Sequence, residues 1–165
     1  MESDNKINIL LVDDEVKFLK AISERLTLKG FNVTAATNGE EAIEAANEGH
    51  RFDVAVLDLQ MPGIDGAQVL KILKEKHKFL EIIMLTGHAT VVSAVECTKL
   101  GAFMFLEKPY DFDKLVEALK EAYQSRMQKK FESNQKRMEA IQKLSMQQSP
   151  LGLLKELARL DDDRK

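Results

Sequence analysis

The sequence predicts an α/β fold: a five-stranded parallel sheet, doubly wound, with a C-terminal helical extension. Three observations carry this reading. Five short apolar runs alternate with five amphipathic helical patterns, as successive βαβ units require. The runs are apolar nearly throughout, as strands covered on both faces must be. Residues able to do chemistry follow the runs, where an open α/β sheet forms its crevice.

The first run is Ile7–Val12. A helical pattern through Phe18, Leu19, Ile22 and Leu26 follows and ends at Gly30. Phe31–Ala36 is the second strand. Asn38 has the chemistry of a helix cap, opening a pattern through Ala42, Ile43 and Ala46 that closes at Gly49. Val54–Leu57 is the third strand, and Gly66–Lys76 is helical through Val69, Leu70 and Leu73. Ile82–Leu85 is the fourth strand, followed by a helix through Val91, Val92 and Val95 closing at Gly101. Phe103–Leu106 is the fifth, and Asp111 opens a last helix through Leu115, Val116 and Leu119. Right-handed crossovers then wind the helices onto both faces of the sheet.

With 165 residues, one domain of ordinary size leaves about 40 residues over. The division expected is a body over residues 1–125 and a helical tail over 126–165. The single Cys97 excludes an internal disulfide framework and a multi-cysteine zinc site. No apolar run reaches the length of a membrane span, and MESDNK lacks the apolar region of a signal peptide, so the cytoplasm is the expected compartment. The net charge of −3 is unevenly spread. Residues 1–125 carry 14 Lys and Arg against 21 Asp and Glu, whereas residues 126–148 carry 6 against 2. An acidic body therefore precedes a basic segment.

Asp13 and Asp14 follow the first strand, Asp58 the third, Thr86 the fourth, and Glu107, Lys108 and Pro109 the fifth. The three aspartates, a hydroxyl and an ammonium thus converge on one rim. Carboxylates brought together repel each other unless a cation sits among them. Oxygen ligands without Cys or His select a hard cation, Mg²⁺ before Zn²⁺. Such a cation beside a lysine and a hydroxyl suits phosphoryl oxygens. The chain has no glycine-rich phosphate loop, so a tightly held nucleotide is not expected, and an Asp can instead take the phosphoryl group itself, as a covalent acyl phosphate.

Together these residues resemble the receiver domain of two-component response regulators: Asp13-Asp14, LDLQMPGIDG around Asp58, LTGHA around Thr86, and Lys108-Pro109, in order over residues 5–125. The segment LTGHATVVSAVECTKLGAFMFLEKP is most similar to receivers of nitrogen-regulation-type activators. The resemblance implies a flavodoxin-like strand order 2-1-3-4-5. It implies Asp58 as phosphoacceptor, and Mg²⁺ on Asp13, Asp14, Asp58 and the backbone carbonyl of Gln60. Thr86 and Lys108 would contact the phosphoryl group, Phe105 would be the aromatic switch position, and Pro109 would follow a cis bond. A sensor histidine kinase or phosphotransfer protein would be the donor. The resemblance ends near residue 125, and the remaining 40 residues are too few for the ATPase domain that follows such receivers.

Taken singly, each residue has a plainer reading. Asp13 or Asp14 could cap the first helix, Asp58 could be a turn residue, and Phe105 could be core. Cys97 reads as a semi-buried helix residue rather than a redox sensor. His88 reads either as an exposed loop residue or as a group tuning water access.

In the tail, no Gly or Pro interrupts residues 111–146, so the last helix can run on. Met127, Phe131, Met138 and Ile141 make a loose heptad with Asn134 in its gap, short for a coiled coil. The other reading is a frayed basic helix. Ser149-Pro150 opens a short helix through Leu151, Leu154, Leu157 and Leu160, with Leu153 beside them, and LDDDRK reads as disordered. Three functions follow. The first is a phosphoreceiver whose tail makes a homodimer or docks an output protein. The second is a DNA-binding regulator using the basic tail, which lacks the third helix and glycine turn of a helix-turn-helix. The third is a Mg²⁺-dependent phosphatase, which would want an acid two residues after its Asp nucleophile, where this chain has Gln60.

Overall fold

The computed structural model describes residues 5–87, 89–146 and 150–162. Its elements run β1 (Asn8–Val12), α1 (Val16–Leu28), β2 (Asn32–Ala36), α2 (Gly39–Asn47), β3 (Val54–Leu57) and α3 (Gly66–Lys76). They continue as β4 (Glu81–Thr86), α4 (Val91–Lys99), β5 (Met104–Glu107), α5 (Phe112–Ser145) and α6 (Pro150–Asp162). All five strands pair in parallel in the order β2-β1-β3-β4-β5, with register pairs such as Leu57 with Met84 and Thr86 with Glu107.

Alternation along the strands divides the core in two. Ile9, Leu11, Val54, Val56, Ile83 and Leu85 pack under α1 and α5, against Leu19, Ile22, Leu26, Leu115 and Leu119. Leu10, Val12, Ala55, Leu57, Ile82 and Met84 pack against Val69, Leu70 and Leu73 of α3 and Ala42 and Ala46 of α2. The helices start where their caps dictate: Asn38 accepts from Glu41 N, Asp65 and Gln68 form a reciprocal capping box, and Thr90 and Ser93 form another. Gly30, Gly49 and Gly101 end α1, α2 and α4 at positive φ, which a residue with a Cβ rarely adopts.

Three expectations are corrected. The valines of α4 do not face the core: Val91 and Val92 are 82% and 77% exposed, and the buried residue of that helix is Cys97. The helix is short and lies at the sheet margin, so its apolar period does not have to match a covered face. Cys97 is thereby fully buried rather than semi-buried. In α6, Leu153, Leu157 and Leu160 are half-buried, whereas Leu151 and Leu154 are exposed. Of the LDDDRK segment read as disordered, Leu160–Asp162 are helical and Asp161 pairs with Arg137 of α5 at 2.7 Å, while residues 163–165 lie outside the described residues. The tail helix is continuous with α5 rather than frayed. Met127, Phe131 and Met138 are exposed on it, while Ile141 is half-buried. His88 and the expected Ser149 cap lie outside the described residues. No helix among the described residues is long and apolar enough to cross a membrane.

Candidate functional site

The carboxyl ends of β1, β3, β4 and β5 bring Asp13, Asp58, Thr86 and Lys108 to one rim. Asp13 and Asp58 are 2% and 4% exposed, Thr86 is fully buried, and Asp14 faces solvent. One ligand atom from each of Asp13, Asp14 and Asp58 lies within 4.8 Å of the others. Lys108 Nζ donates to Asp13 Oδ2 at 2.6 Å and lies 3.9 Å from Asp58 Oδ2 and 3.7 Å from Glu15 Oε1. It also sits 4.0 Å above the centre of the Phe18 ring, an interaction that the sequence reading did not assign.

Neither Asp13 nor Asp14 caps α1. The N-cap residue is Glu15, which makes no side-chain cap bond, and Asp13 Oδ1 instead accepts from Glu15 N at 2.8 Å. Asp58 is not held as a turn residue either: its Oδ1 is buried with no hydrogen-bond partner among the described residues. A buried carboxylate oxygen without a donor is costly unless it meets a cation or a covalent partner. Burial pushes the Asp13 carboxyl above its ordinary value; the Lys108 hydrogen bond and the Glu15 N–H oppose the rise, and the Asp58 charge adds to it. Burial works against the Lys108 ammonium, but the Asp13 hydrogen bond and the charges of Asp13, Asp58 and Glu15 outweigh it and hold it above its ordinary value.

A cavity of about 400 Å³ opens beside the cluster, lined by Asp14, Glu15, Asp58, Gln60, Met61 and Pro62. The exposed Gln60 is thus at its mouth. Phe105 is half-buried on the α3 and α4 side of the sheet, packed with the cluster that contains Cys97, while Met104 and Leu106 face α5. Lys108 N donates to the Thr86 carbonyl at 2.8 Å, tying β4 to β5 at the rim, and the Lys108–Pro109 bond is cis.

Two supports were missed in the sequence. A Cβ on Gly66 would lie 2.1 Å from the Asp58 carbonyl oxygen, so only glycine lets α3 start this close to Asp58. Gly66 N donates to the Leu59 carbonyl at 2.8 Å, which fixes the turn after Asp58. The Asp65-x-x-Gln68 spacing of the capping box was a readable signal for this.

The model of the response regulator receiver domain family matches residues 9–120. The chain belongs to that family. It is the receiver domain of a two-component response regulator, and its relatives include transcriptional regulators. An NtrX-like response regulator of Rickettsia felis is 35% identical over 120 residues, 72% of this chain and 25% of that protein. ZraR of Salmonella typhimurium is 38% identical over 71% of this chain and 26% of its own length. The chain thus spans about a quarter of the length of the curated relatives it matches. Among solved structures, a CheY-like receiver from Methanospirillum hungatei aligns at TM-score 0.72 and 26% identity, covering 76% of this chain and 99% of its own. A chain of a CheX–CheY–BeF3–Mg²⁺ complex from Borrelia burgdorferi aligns at TM-score 0.66 and 31% identity, covering 71% of this chain and 89% of its own. The receiver fold thus has known counterparts, and the donor set of the acidic pocket is compatible with a divalent cation.

Proposed function

We propose that this receiver accepts a phosphoryl group on Asp58 from a sensor histidine kinase or phosphotransfer protein and relays it to α4, β5 and α5. The observation that carries the reading is the buried Asp58 Oδ1, which has no hydrogen-bond partner among the described residues, beside Lys108 and two further carboxylates. Asp13 and Asp14, with Asp58 and the Gln60 carbonyl, would hold Mg²⁺, and the three-carboxylate donor set with no Cys or His fits that ion. When bound, Mg²⁺ neutralises charge shared between carboxylate and phosphoryl oxygens.

The chain's own residues do the rest. An Asp58 carboxylate oxygen attacks phosphorus in line, the phosphorus–nitrogen bond of the donor breaks, and its electron pair returns to the imidazole. Lys108 pairs with the phosphoryl oxygens as a charged donor. Thr86 donates its hydroxyl to the same group, and the half-buried Phe105 turns into the space that this movement frees. Gln60 offers no proton to a leaving group, so the chain acts as a signalling receiver rather than a turnover phosphatase. The division of labour is a receiver over 1–125 and an output tail over 126–165, working in the cytoplasm. The tail makes a homodimer through the exposed Met127, Phe131 and Met138, with Asn134 in the seam, or docks an output protein. DNA binding by the tail is disfavoured because Arg126, Lys129 and Arg137 already pair with Asp53, Glu81 and Asp161.

The test is mass spectrometry after acetyl phosphate and Mg²⁺ treatment. The wild type gains one phosphoryl group and Asp58→Asn gains none. Equal gain in Asp58→Asn sinks the assignment.

A further inference from the structure

A second concavity lies at the opposite, amino-terminal edge of the sheet. It holds about 740 Å³ between the end of α2, residues 49–52, the end of α3 and α5. That volume is within the range of small-molecule sites. Its wall carries Arg51, Lys76, Lys78, Arg126 and Lys130 with His50 and His77, and no Asp or Glu among the described residues. This gathering of cations stands out on a body in which acids outnumber bases.

Complementing a helix C-terminus explains Lys76, at the last residue of α3. It does not explain Arg51, which lies between elements, or Arg126 and Lys130, which come from the middle of α5. Arg126 is partly neutralised by Asp53 at 3.2 Å, but Arg51 and Lys76 make no ion pair among the described residues. His77 Nε2 is enclosed with no hydrogen-bond partner among them. Like charges gathered around one cavity disfavour each other, and an anion entering beside Arg51 and Lys76 would offset that repulsion. Phe52, Phe79 and Leu80 line the same cavity and give it apolar surface beside the cations.

We propose that this cavity binds a small phosphate-bearing polyanion. Arg51 offers a planar fork to two phosphate oxygens and Lys76 a point charge. The cations gather around one concavity, which favours a small ligand over a duplex, whose phosphates need an extended strip of cations. The phosphates can belong to an inorganic chain or to a nucleotide, whose base would lie against the Phe79 or His50 ring. Because two of the cations come from α5, the bound anion fastens that helix to the ends of α2 and α3.

The test is calorimetric titration of the full chain in EDTA with inorganic tripolyphosphate and, separately, with ATP. Excluding Mg²⁺ keeps ATP from bridging to the carboxylate cluster. The expected result is one salt-sensitive site per chain, weakened about tenfold or more in the double variant Arg51→Ser, Lys76→Ser. That variant should gain a phosphoryl group on Asp58 as the wild type does, which separates this proposal from the phosphoacceptor reading. ATP binding tighter than tripolyphosphate assigns a nucleotide site, and equal binding assigns an inorganic polyanion. The proposal is overturned if neither probe binds saturably at millimolar concentration, or if the double variant binds both as tightly as the wild type. It is also overturned if duplex DNA binds while both small probes fail.

Discussion

Lys108 Nζ is shared among Asp13, Asp58 and Glu15 at 2.6, 3.9 and 3.7 Å, so one ammonium offsets the repulsion of a buried acidic cluster. The same carboxylates are the ligands proposed for Mg²⁺, and the ammonium and the ion compete for them. Lys108→Met should therefore cost about 3 kcal/mol in EDTA, the low end for stripping one partner from a buried pair. Added Mg²⁺ should raise the melting temperature of the variant more than that of the wild type, because a tighter ligand stabilises more. Thermal melts with and without Mg²⁺ check this, and equal shifts in the two proteins would disconnect Lys108 from the cation site. His77 is a second residue with a readable pH signature. Burial lowers its proton affinity, and the Lys76 and Arg126 charges lower it further. Above the ordinary histidine value both folded and unfolded states are neutral and nothing changes. As pH falls through that value, the unfolded chain takes the proton first, so stability is lost. His77→Gln should flatten the fall in melting temperature between about pH 7 and 5. An unchanged slope would assign the loss to other groups.

At the scale of elements, α5 is more than the last helix of a receiver. Glu81, 2% exposed at the start of β4, receives Lys129 Nζ at 2.9 Å and Ser125 Oγ at 3.4 Å, with Lys74 3.9 Å away. Asp53 just before β3 accepts from Arg126 Nε at 3.2 Å and from Asn8 N at 2.8 Å. Two carboxylates at the base of the sheet thus take their partners from residues 125–129. A chain ending at Gln124 should lose about 2 kcal/mol relative to one ending at Lys130, because it leaves the buried Glu81 carboxylate with Lys74 alone. Urea unfolding of the two chains measures this, and coincident midpoints would show that the clamp contributes nothing. The sequence could not reveal the clamp: Glu81 and Lys129 are 48 residues apart, and each reads locally as a solvated charge. The exposed valines of α4 teach the converse. Periodicity finds apolar positions on a helix, but not whether the sheet reaches far enough to cover them.

For the whole molecule, charge and apolar surface separate along the long axis of α5. The rim that carries Asp13, Asp14 and Asp58 is acidic, the cavity at the opposite edge is lined by cations, and Met127, Phe131 and Met138 of α5 are 47%, 59% and 65% exposed. α6 folds back on α5 and covers its Arg137 side, leaving that stripe open. Replacing Phe131 and Met138 by Ser should weaken self-association at least about tenfold, since each large apolar side chain contributes roughly 1.5–3 kcal/mol when buried. Phosphorylation should strengthen the proposed dimer by about 1–3 kcal/mol, a typical coupling between sites. Sedimentation velocity with and without acetyl phosphate reads both effects. Assembly unaltered by the double substitution would move the interface to the receiver surface.

Local chemistry in the sequence determined the five strands, the helix caps at Asn38 and Asp111, and the rim positions of Asp13, Asp58, Thr86 and Lys108. These follow from hydrophobic period, from cap chemistry, and from the rule that parallel strands present their carboxyl ends together. Only the tertiary structure decided that Lys108 pairs with Asp13 across 95 residues, that Gly66 must lack a Cβ beside the Asp58 carbonyl, and that Cys97 is buried while its neighbouring valines are not. It alone brought His50, Arg51, Lys76 and Arg126 around one cavity. The physical reason is common to all four. A single side chain's partners are set by which elements the sheet order makes neighbours, and that order is a property of the whole chain rather than of any window of it.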